Sequence, residues 1–300
     1  MDNLLVRLSR GEILVGDGAM GTMLMEHGLA AGGCPEAFNL ERPEVLEQIA
    51  QAYHAAGADI VETNTFGGSP LKLAQYGLAD RTEEINHNAI AAVRRAVGED
   101  AYVSASCGPT GCTLKPYGDT DPDEIAAAFR RQLTAIVEAG VDLICVETMT
   151  DLVEARLAVE AAKRIAPDLA VAATMTFDAT PRGFFTIMGV TVAQAVEGLT
   201  AAGADVLGSN CGNGIEGMVA IAREFRAHTE RPLIIQSNAG LPRMEGDHLV
   251  YPETPEFMAA RAKELIAARV GIIGGCCGTT PEHIRALRGI VDAHRSRANT

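Results

Sequence analysis

The chain has 300 residues, is 47% hydrophobic and carries a formal net charge of −14. That acidic balance, with no run of lysine or arginine, offers no phosphate footprint and excludes nucleic acid as the expected partner. No apolar run is long enough to span a bilayer, and residues 1–10 hold only a short apolar patch interrupted by arginines, so no membrane is expected and the expected compartment is the cytoplasm.

In chain order the elements alternate. A β-branched run at 13–15 reads as the first strand, and Pro43-Glu44 opens a helix. The phrase Ala56-Gly57-Ala58-Asp59-Ile60-Val61-Glu62-Thr63 stops that helix at glycine and begins the second strand. Helical periodicity at 83–97 leads to a strand at 102–106, and Asp121-Pro122-Asp123-Glu124 opens the next helix. The phrase returns as Ala139-Gly140-Val141-Asp142-Leu143-Ile144-Cys145-Val146-Glu147-Thr148. After a helix at 152–165, a strand at 170–176 and a cap at Thr191, it returns again as Ala202-Gly203-Ala204-Asp205-Val206-Leu207. A helix at 218–226, a strand at 233–237 and a helix opened by Thr254-Pro255-Glu256 follow. A fainter copy, Ala268-Arg269-Val270-Gly271-Ile272-Ile273, supplies the last strand, and Thr280-Pro281 starts a final helix with periodicity at 284–294.

Eight strands apolar on both faces, each followed by a helix, predict a parallel sheet covered by helices. Eight such units in a chain of this length predict an α/β fold, a single (β/α)8 TIM barrel with its site at the C-terminal ends of the strands. No linker-like stretch divides the chain, so residues 1–300 read as one domain. The widest gap between junctions surrounds 108–121, the expected long loop over the barrel mouth.

Seven cysteines at irregular spacing do not make a disulfide framework and fit reduced thiols or metal ligands. Gly274-Gly275-Cys276-Cys277-Gly278 places two thiols at the end of the last strand. Alone, such a pair is equally well two buried small residues or a strained vicinal disulfide. The barrel adds Asn210-Cys211-Gly212 at the end of strand six, two strands away, with Asp17, Glu62, Asn64, Glu147 and Asn238 at other strand ends. Three thiolates converging on one tetrahedral ion would leave a fourth position open, and soft sulfur selects zinc over magnesium or calcium. Three cysteinates make zinc a poor generator of hydroxide but leave it able to lower the pKa of an incoming thiol, so the expected chemistry is attack by a thiol. Cys34, Cys107, Cys112 and Cys145 lack a partner motif or lie inside a strand, and His54, His87, His283 and His294 read as solvated helix positions.

These motifs, together with Gly16-Asp17-Gly18-Ala19-Met20-Gly21-Thr22, Glu62-Thr63-Asn64-Thr65-Phe66, Glu147-Thr148 and Asn238-Ala239-Gly240-Leu241-Pro242, resemble the homocysteine S-methyltransferase family. That family includes the homocysteine-binding module of cobalamin-dependent methionine synthase and betaine–homocysteine methyltransferase, and the resemblance runs from residue 16 to about 284. It implies zinc held by Cys211, Cys276 and Cys277, with homocysteine thiolate in the fourth place. It further implies that Asp17 and Glu147 hold the substrate ammonium while the amides of Gly18 and Ala19 receive its carboxylate. Glu62, Asn64, Asn210, Ser237 and Asn238 are then expected to orient loops and ligands around the site.

Two rival classes are a nucleotide-binding enzyme, because residues 16–21 satisfy G-x-G-x-x-G, and a phosphate-binding barrel enzyme, because the loops after strands seven and eight are glycine-rich. An aspartate inside the turn would face a pyrophosphate in the first, and the cysteine pair has no role in the second. For the methyl donor, the chain stops at Thr300 directly after the last barrel helix, so a separate methyl-corrinoid protein is expected. Betaine is the main small-molecule alternative, disfavoured because quaternary ammonium groups are usually enclosed by aromatic rings and the chain has no tryptophan; S-methylmethionine and S-adenosylmethionine also stay open.

Overall fold

A computed structural model describes residues 2–246 and 248–298. The strands are β1 (Leu14–Val15), β2 (Ile60–Glu62), β3 (Tyr102–Cys107), β4 (Leu143–Met149), β5 (Ala170–Met175), β6 (Val206–Asn210), β7 (Leu233–Ser237) and β8 (Ile272–Gly275). They hydrogen-bond in the order β1-β8-β7-β6-β5-β4-β3-β2, all parallel. The ends meet where Gly16 bridges to Ile60, which closes the predicted barrel. Around it lie α1 (Pro43–Ala55), α2 (Thr82–Val97), α3 (Pro122–Ala139), α4 (Leu152–Ile165), α5 (Val192–Ala202), α6 (Ile215–His228), α7 (Pro255–Ala267) and α8 (Pro281–Ala298). Among the described residues no helix is long and apolar enough to cross a membrane.

The helices begin and end where local chemistry requires. Asp121 caps α3 ahead of Pro122, Thr191 and Gln194 form a capping box on α5, and Thr254 caps α7 ahead of Pro255. Gly140 and Gly203 close α3 and α5 in the left-handed region.

The aspartate in the repeated phrase has a structural job. Asp59, Asp142 and Asp205 each donate their backbone N–H to the carbonyl of Val15, Val103 or Val171 in the neighbouring strand, at 2.7, 2.9 and 2.8 Å. Each carboxylate then accepts that same valine's N–H, at 2.8, 2.8 and 2.9 Å. A cation completes each clamp: Arg288, Arg94 and Lys163 respectively, at 2.8, 2.7 and 2.6 Å. The unit therefore recurs because three strand pairs are fastened the same way at their N-terminal ends. In the faint fourth copy Gly271 replaces aspartate, and a Cβ there would lie 3.1 Å from Leu8. Leu8 belongs to the helix Leu4–Ser9, whose Leu4 and Leu8 plug this end of the barrel.

Inside the barrel, the two-residue period of a strand converts sequence into layers. Leu14, Ile60, Tyr102, Leu143, Ala170, Val206, Ile234 and Ile272 share one apolar cluster with the plug. Two residues further along come Gly16, Glu62, Ser104, Cys145, Ala172, Gly208, Gln236 and Gly274, and beyond them Ser106, Glu147, Thr174 and Asn210. The interior thus changes from apolar to polar toward the C-terminal ends of the strands.

Two hairpins absent from the sequence reading rise at that face: Asp178–Thr180 pairs with Gly183–Phe185 after β5, and Arg243–Glu245 pairs with His248–Val250 after β7. The segment 108–121 is a loop as expected, but the segments after β1, β2, β5 and β7 are longer, because they carry these hairpins or the short helices Met20–Glu26 and Pro70–Ala74.

β6 packs against β7 through Gly208, where a Cβ would stand 1.7 Å from the Ile234 carbonyl oxygen. Gly208→Ala should therefore lower unfolding stability by about 1–3 kcal/mol, the range for overpacked cores. Gly289→Ala, at a helical position with nothing within 4 Å, should raise it by about 0.5–1 kcal/mol. Urea-unfolding midpoints of the two variants check both signs.

Candidate active site

β7 ends between the two cysteine-bearing loops and fastens both. The Cys211 N–H donates to the Gln236 carbonyl at 3.2 Å, and the Cys276 N–H donates to the Ser237 carbonyl at 2.7 Å. In the following loop the Ala239 N–H donates to the Cys277 carbonyl at 3.0 Å. The three sulfurs of Cys211, Cys276 and Cys277 consequently lie within 4.8 Å of one another, the one such group of potential metal ligands among the described residues. Cys211 and Cys277 sulfurs are 3.8 Å apart. Cys211 adopts φ +60, an uncommon conformation for a residue with a Cβ, and Gly212 follows at φ +74.

Asn210 joins this cluster to the carboxylates. Its side-chain N–H groups point to Glu147 Oε2 at 3.0 Å, Thr148 Oγ1 at 2.7 Å and the Cys276 sulfur at 3.9 Å. Its carbonyl oxygen accepts from the Thr148 N–H at 2.8 Å and the Thr174 hydroxyl at 2.7 Å. Those bonds hold Thr148 at φ +57. The other Glu147 oxygen accepts from the Ser106 hydroxyl.

Asp17 is buried just after β1 and its Oδ2 accepts the Glu62 N–H at 2.8 Å, while Oδ1 has no protein partner. Glu62 receives a long contact from Gln236, at 3.4 Å, and lies against the Cys145 thiol. Burial is the main force on all three acids: it raises Asp17 to about 7 and Glu62 to about 8, and lifts Glu147 well above its ordinary value, with mutual repulsion adding to each. A cationic group entering here would relieve that burden. Among the thiols, Cys211 accepts from Cys276 and Cys277 and is pulled well below its ordinary value, while donating to Cys211 pushes the other two up, with burial adding to both.

The remaining sequence candidates divide by position. Asn238 lies against Cys211, whose thiolate its side chain stabilises. Ser237 contributes its backbone carbonyl, its buried hydroxyl having no partner. Asn64 faces away from the cysteines, donating to the Pro35 carbonyl and Asn39 at 2.7 Å each, and so orients the loop after β2. The Ala19 N–H donates to Thr279 Oγ1 at 3.2 Å. A Cβ on Gly18 would fall 2.7 Å from Thr279 and 2.8 Å from Tyr53, so close packing accounts for this glycine of the G-x-G-x-x-G string. Cys107 and Cys145 are fully buried in strands, with thiols pushed far up by desolvation.

Sequence reasoning missed Ser106, Thr174, Gln236, Tyr53 and Thr279. The first three are polar residues inside otherwise apolar strands, a signal that could have found them. His283 is a correction: it is 7% exposed, not solvated, because both ring nitrogens are engaged beneath the loop after β7.

The raised acids fix a direction for pH dependence in the ligand-free protein. A carboxyl whose folded pKa exceeds its unfolded one stabilises the fold fully below the unfolded value and loses that contribution as pH rises through the folded value. For Asp17 and Glu62 the loss runs from about pH 4 to beyond the values near 7 and 8. Glu62→Gln should flatten the fall in unfolding free energy across that window, as urea titrations at stepped pH would register; an unchanged slope would contradict it.

Residues 14–291 match the sequence profile of the homocysteine S-methyltransferase family. The chain is 35% identical over 296 residues to methionine synthase of Mycobacterium tuberculosis and 33% identical to that of Mycobacterium leprae, each covering 93% of this chain. It spans 24% of the length of either relative. Among solved structures, the metallated form of the homocysteine methyltransferase MmuM from Escherichia coli superposes with a TM-score of 0.79 at 23% identity, covering 96% of this chain and 99% of that one. Its oxidized form gives the same score at 25% identity. With the profile spanning nearly all of the barrel, the chain belongs to the homocysteine S-methyltransferase family.

Proposed function

We propose that this barrel is a zinc-dependent homocysteine S-methyltransferase that forms methionine. The observation that carries the reading is the convergence of three thiols on one point beside an Asn210-linked carboxylate, at the polar end of the barrel. The donor set fits the ion: three soft sulfurs from Cys211, Cys276 and Cys277 leave a tetrahedral metal one place for a substrate. When bound, zinc would supply a soft Lewis acid that lowers the pKa of the homocysteine thiol.

The chain's own residues bind and orient. Asp17 Oδ1, buried and without a partner, and Glu147, held by Ser106 and Asn210, accept the substrate ammonium. Gly18 and Ala19 offer backbone N–H groups to its carboxylate, which would replace Thr279 as the acceptor at Ala19. The substrate sulfur then attacks the donor's methyl carbon: a sulfur–carbon bond forms, the methyl–donor bond breaks, and its electron pair leaves with the donor.

For the donor we propose a methyl-corrinoid protein. Support comes from the relatives named methionine synthase and from the exposed apolar side chains at this face: Phe66, Tyr117, Ile187, Leu241 and Met244, on loops after β2, β3, β5 and β7. A betaine site would need enclosing rings, whereas Tyr117 is 80% exposed.

Cys276→Ser should lose zinc, measured by elemental analysis, and lose methionine formation while its circular dichroism stays native; full activity in the metal-free variant would end this reading. Asp17→Asn and Glu147→Gln should keep zinc and weaken homocysteine binding by about 1.5–3 kcal/mol each in calorimetry. Methionine production with methylcobalamin or a methylated corrinoid protein, set against betaine and sulfonium donors at equal concentration, tests the donor, and turnover with betaine alone would overturn the corrinoid assignment.

A further inference from the structure

One residue outside the cysteine motifs links the loop after β7 to the start of α6 and to the first turn of α8. Glu253, just before α7, donates its N–H to the Ala239 carbonyl at 2.9 Å, and Ala239 in turn donates to the Cys277 carbonyl. Its Oε2 accepts the Ile215 N–H at 3.0 Å, fixing the start of α6 and the four-residue turn that begins at Cys211. Gly214 lets that carboxylate in, since a Cβ there would lie 2.1 Å from Oε1. The Glu253 carbonyl faces His283 Nε2 of α8 at 2.9 Å.

The other His283 nitrogen settles the tautomer. Nδ1 accepts the Thr280 N–H at 3.1 Å, so it carries no proton, and Nε2–H is the donor to Glu253. A neutral imidazole thereby joins the turn that follows Cys276 and Cys277 to the residue that holds the turn following Cys211. The imidazole is enclosed, at 7% exposure, where an unmade hydrogen bond is not readily replaced by solvent.

We propose that His283, acting through Glu253, is a positioning residue that sets the separation of the Cys211 loop from the Cys276–Cys277 loop, and with it the grip of the three thiols on a metal. This rests on the metal reading above. Neither side chain touches the reacting atoms. Their effect is on how well the sulfurs are held in place before an ion or substrate arrives, as outer partners do at other metal sites.

The test measures metal dissociation from the zinc-loaded protein into excess chromogenic chelator, alongside thermal unfolding of the zinc-free protein. His283→Ala should release zinc about tenfold faster or more, the scale of outer-partner loss. His283→Gln, whose amide can reproduce the Nε2–H donor, should recover most of the grip, and His283→Asn, which keeps only the Thr280 acceptor, should not. His294→Ala, at an exposed position of the same helix, is the control and should match the parent. Equal release rates for His283→Ala, His283→Asn and parent would overturn the proposal, as would an identical loss of zinc-free thermal stability and grip in the Gln and Asn variants, which would mark the histidine as filler only. If His283→Ala fails to fold, the Gln–Asn comparison decides alone. Should the parent bind no zinc, the metal reading fails, which is distinct from failure of the positioning role.

Discussion

Two backbone carbonyls at the end of β7, those of Gln236 and Ser237, decide whether there is a site at all. The first accepts from Cys211 and the second from Cys276. β7 lies between β6 and β8, so cysteines more than sixty residues apart are brought together by one shared neighbour and not by flexible loops that must find each other. The entropy of gathering three thiols is thereby carried by the barrel's own folding. The glycines that let the strands approach are part of the same constraint: Gly208 against the Ile234 carbonyl, and Gly274 against Gly16.

The second constraint is a buried polar layer set on an apolar one. Asp17, Glu62 and Glu147 sit in an interior that penalises their charge, while Asp17 Oδ1, Gln236 Oε1 and the hydroxyls of Ser104, Ser209 and Ser237 lack protein partners. Such groups destabilise a fold unless something else uses them. The proposed substrate, carrying an ammonium group, would answer the carboxylates, and the apolar plug of Leu4 and Leu8 confines that polar chamber to the end where the cysteines stand.

Much of this was legible in the sequence because it is periodic. The Ala-Gly-x-Asp phrase marks helix ends and strand starts, and the structure adds why the aspartate recurs: Asp59, Asp142 and Asp205 each clamp the neighbouring strand. Cysteines and acids at strand ends were visible for the same reason, since a parallel barrel presents all those ends on one face. What escaped the reading was long-range. The hairpins after β5 and β7 are short and carry no strong apolar alternation. His283 looks like any polar residue in a first helical turn, and one of the partners that engage it, Glu253, lies thirty residues earlier. Asn64 stood in a motif yet turns toward Pro35 and Asn39, a partner choice that no local pattern encodes.

In the proposed site three protein sulfurs hold a zinc whose fourth place is for the substrate's sulfur. X-ray absorption at the zinc edge tests it directly on the zinc-loaded protein with and without homocysteine. Three sulfurs at about 2.3 Å plus one lighter atom are expected in the free protein, becoming four sulfurs when homocysteine is added. A first shell without three sulfurs, or one that homocysteine leaves unchanged while it binds, would contradict it.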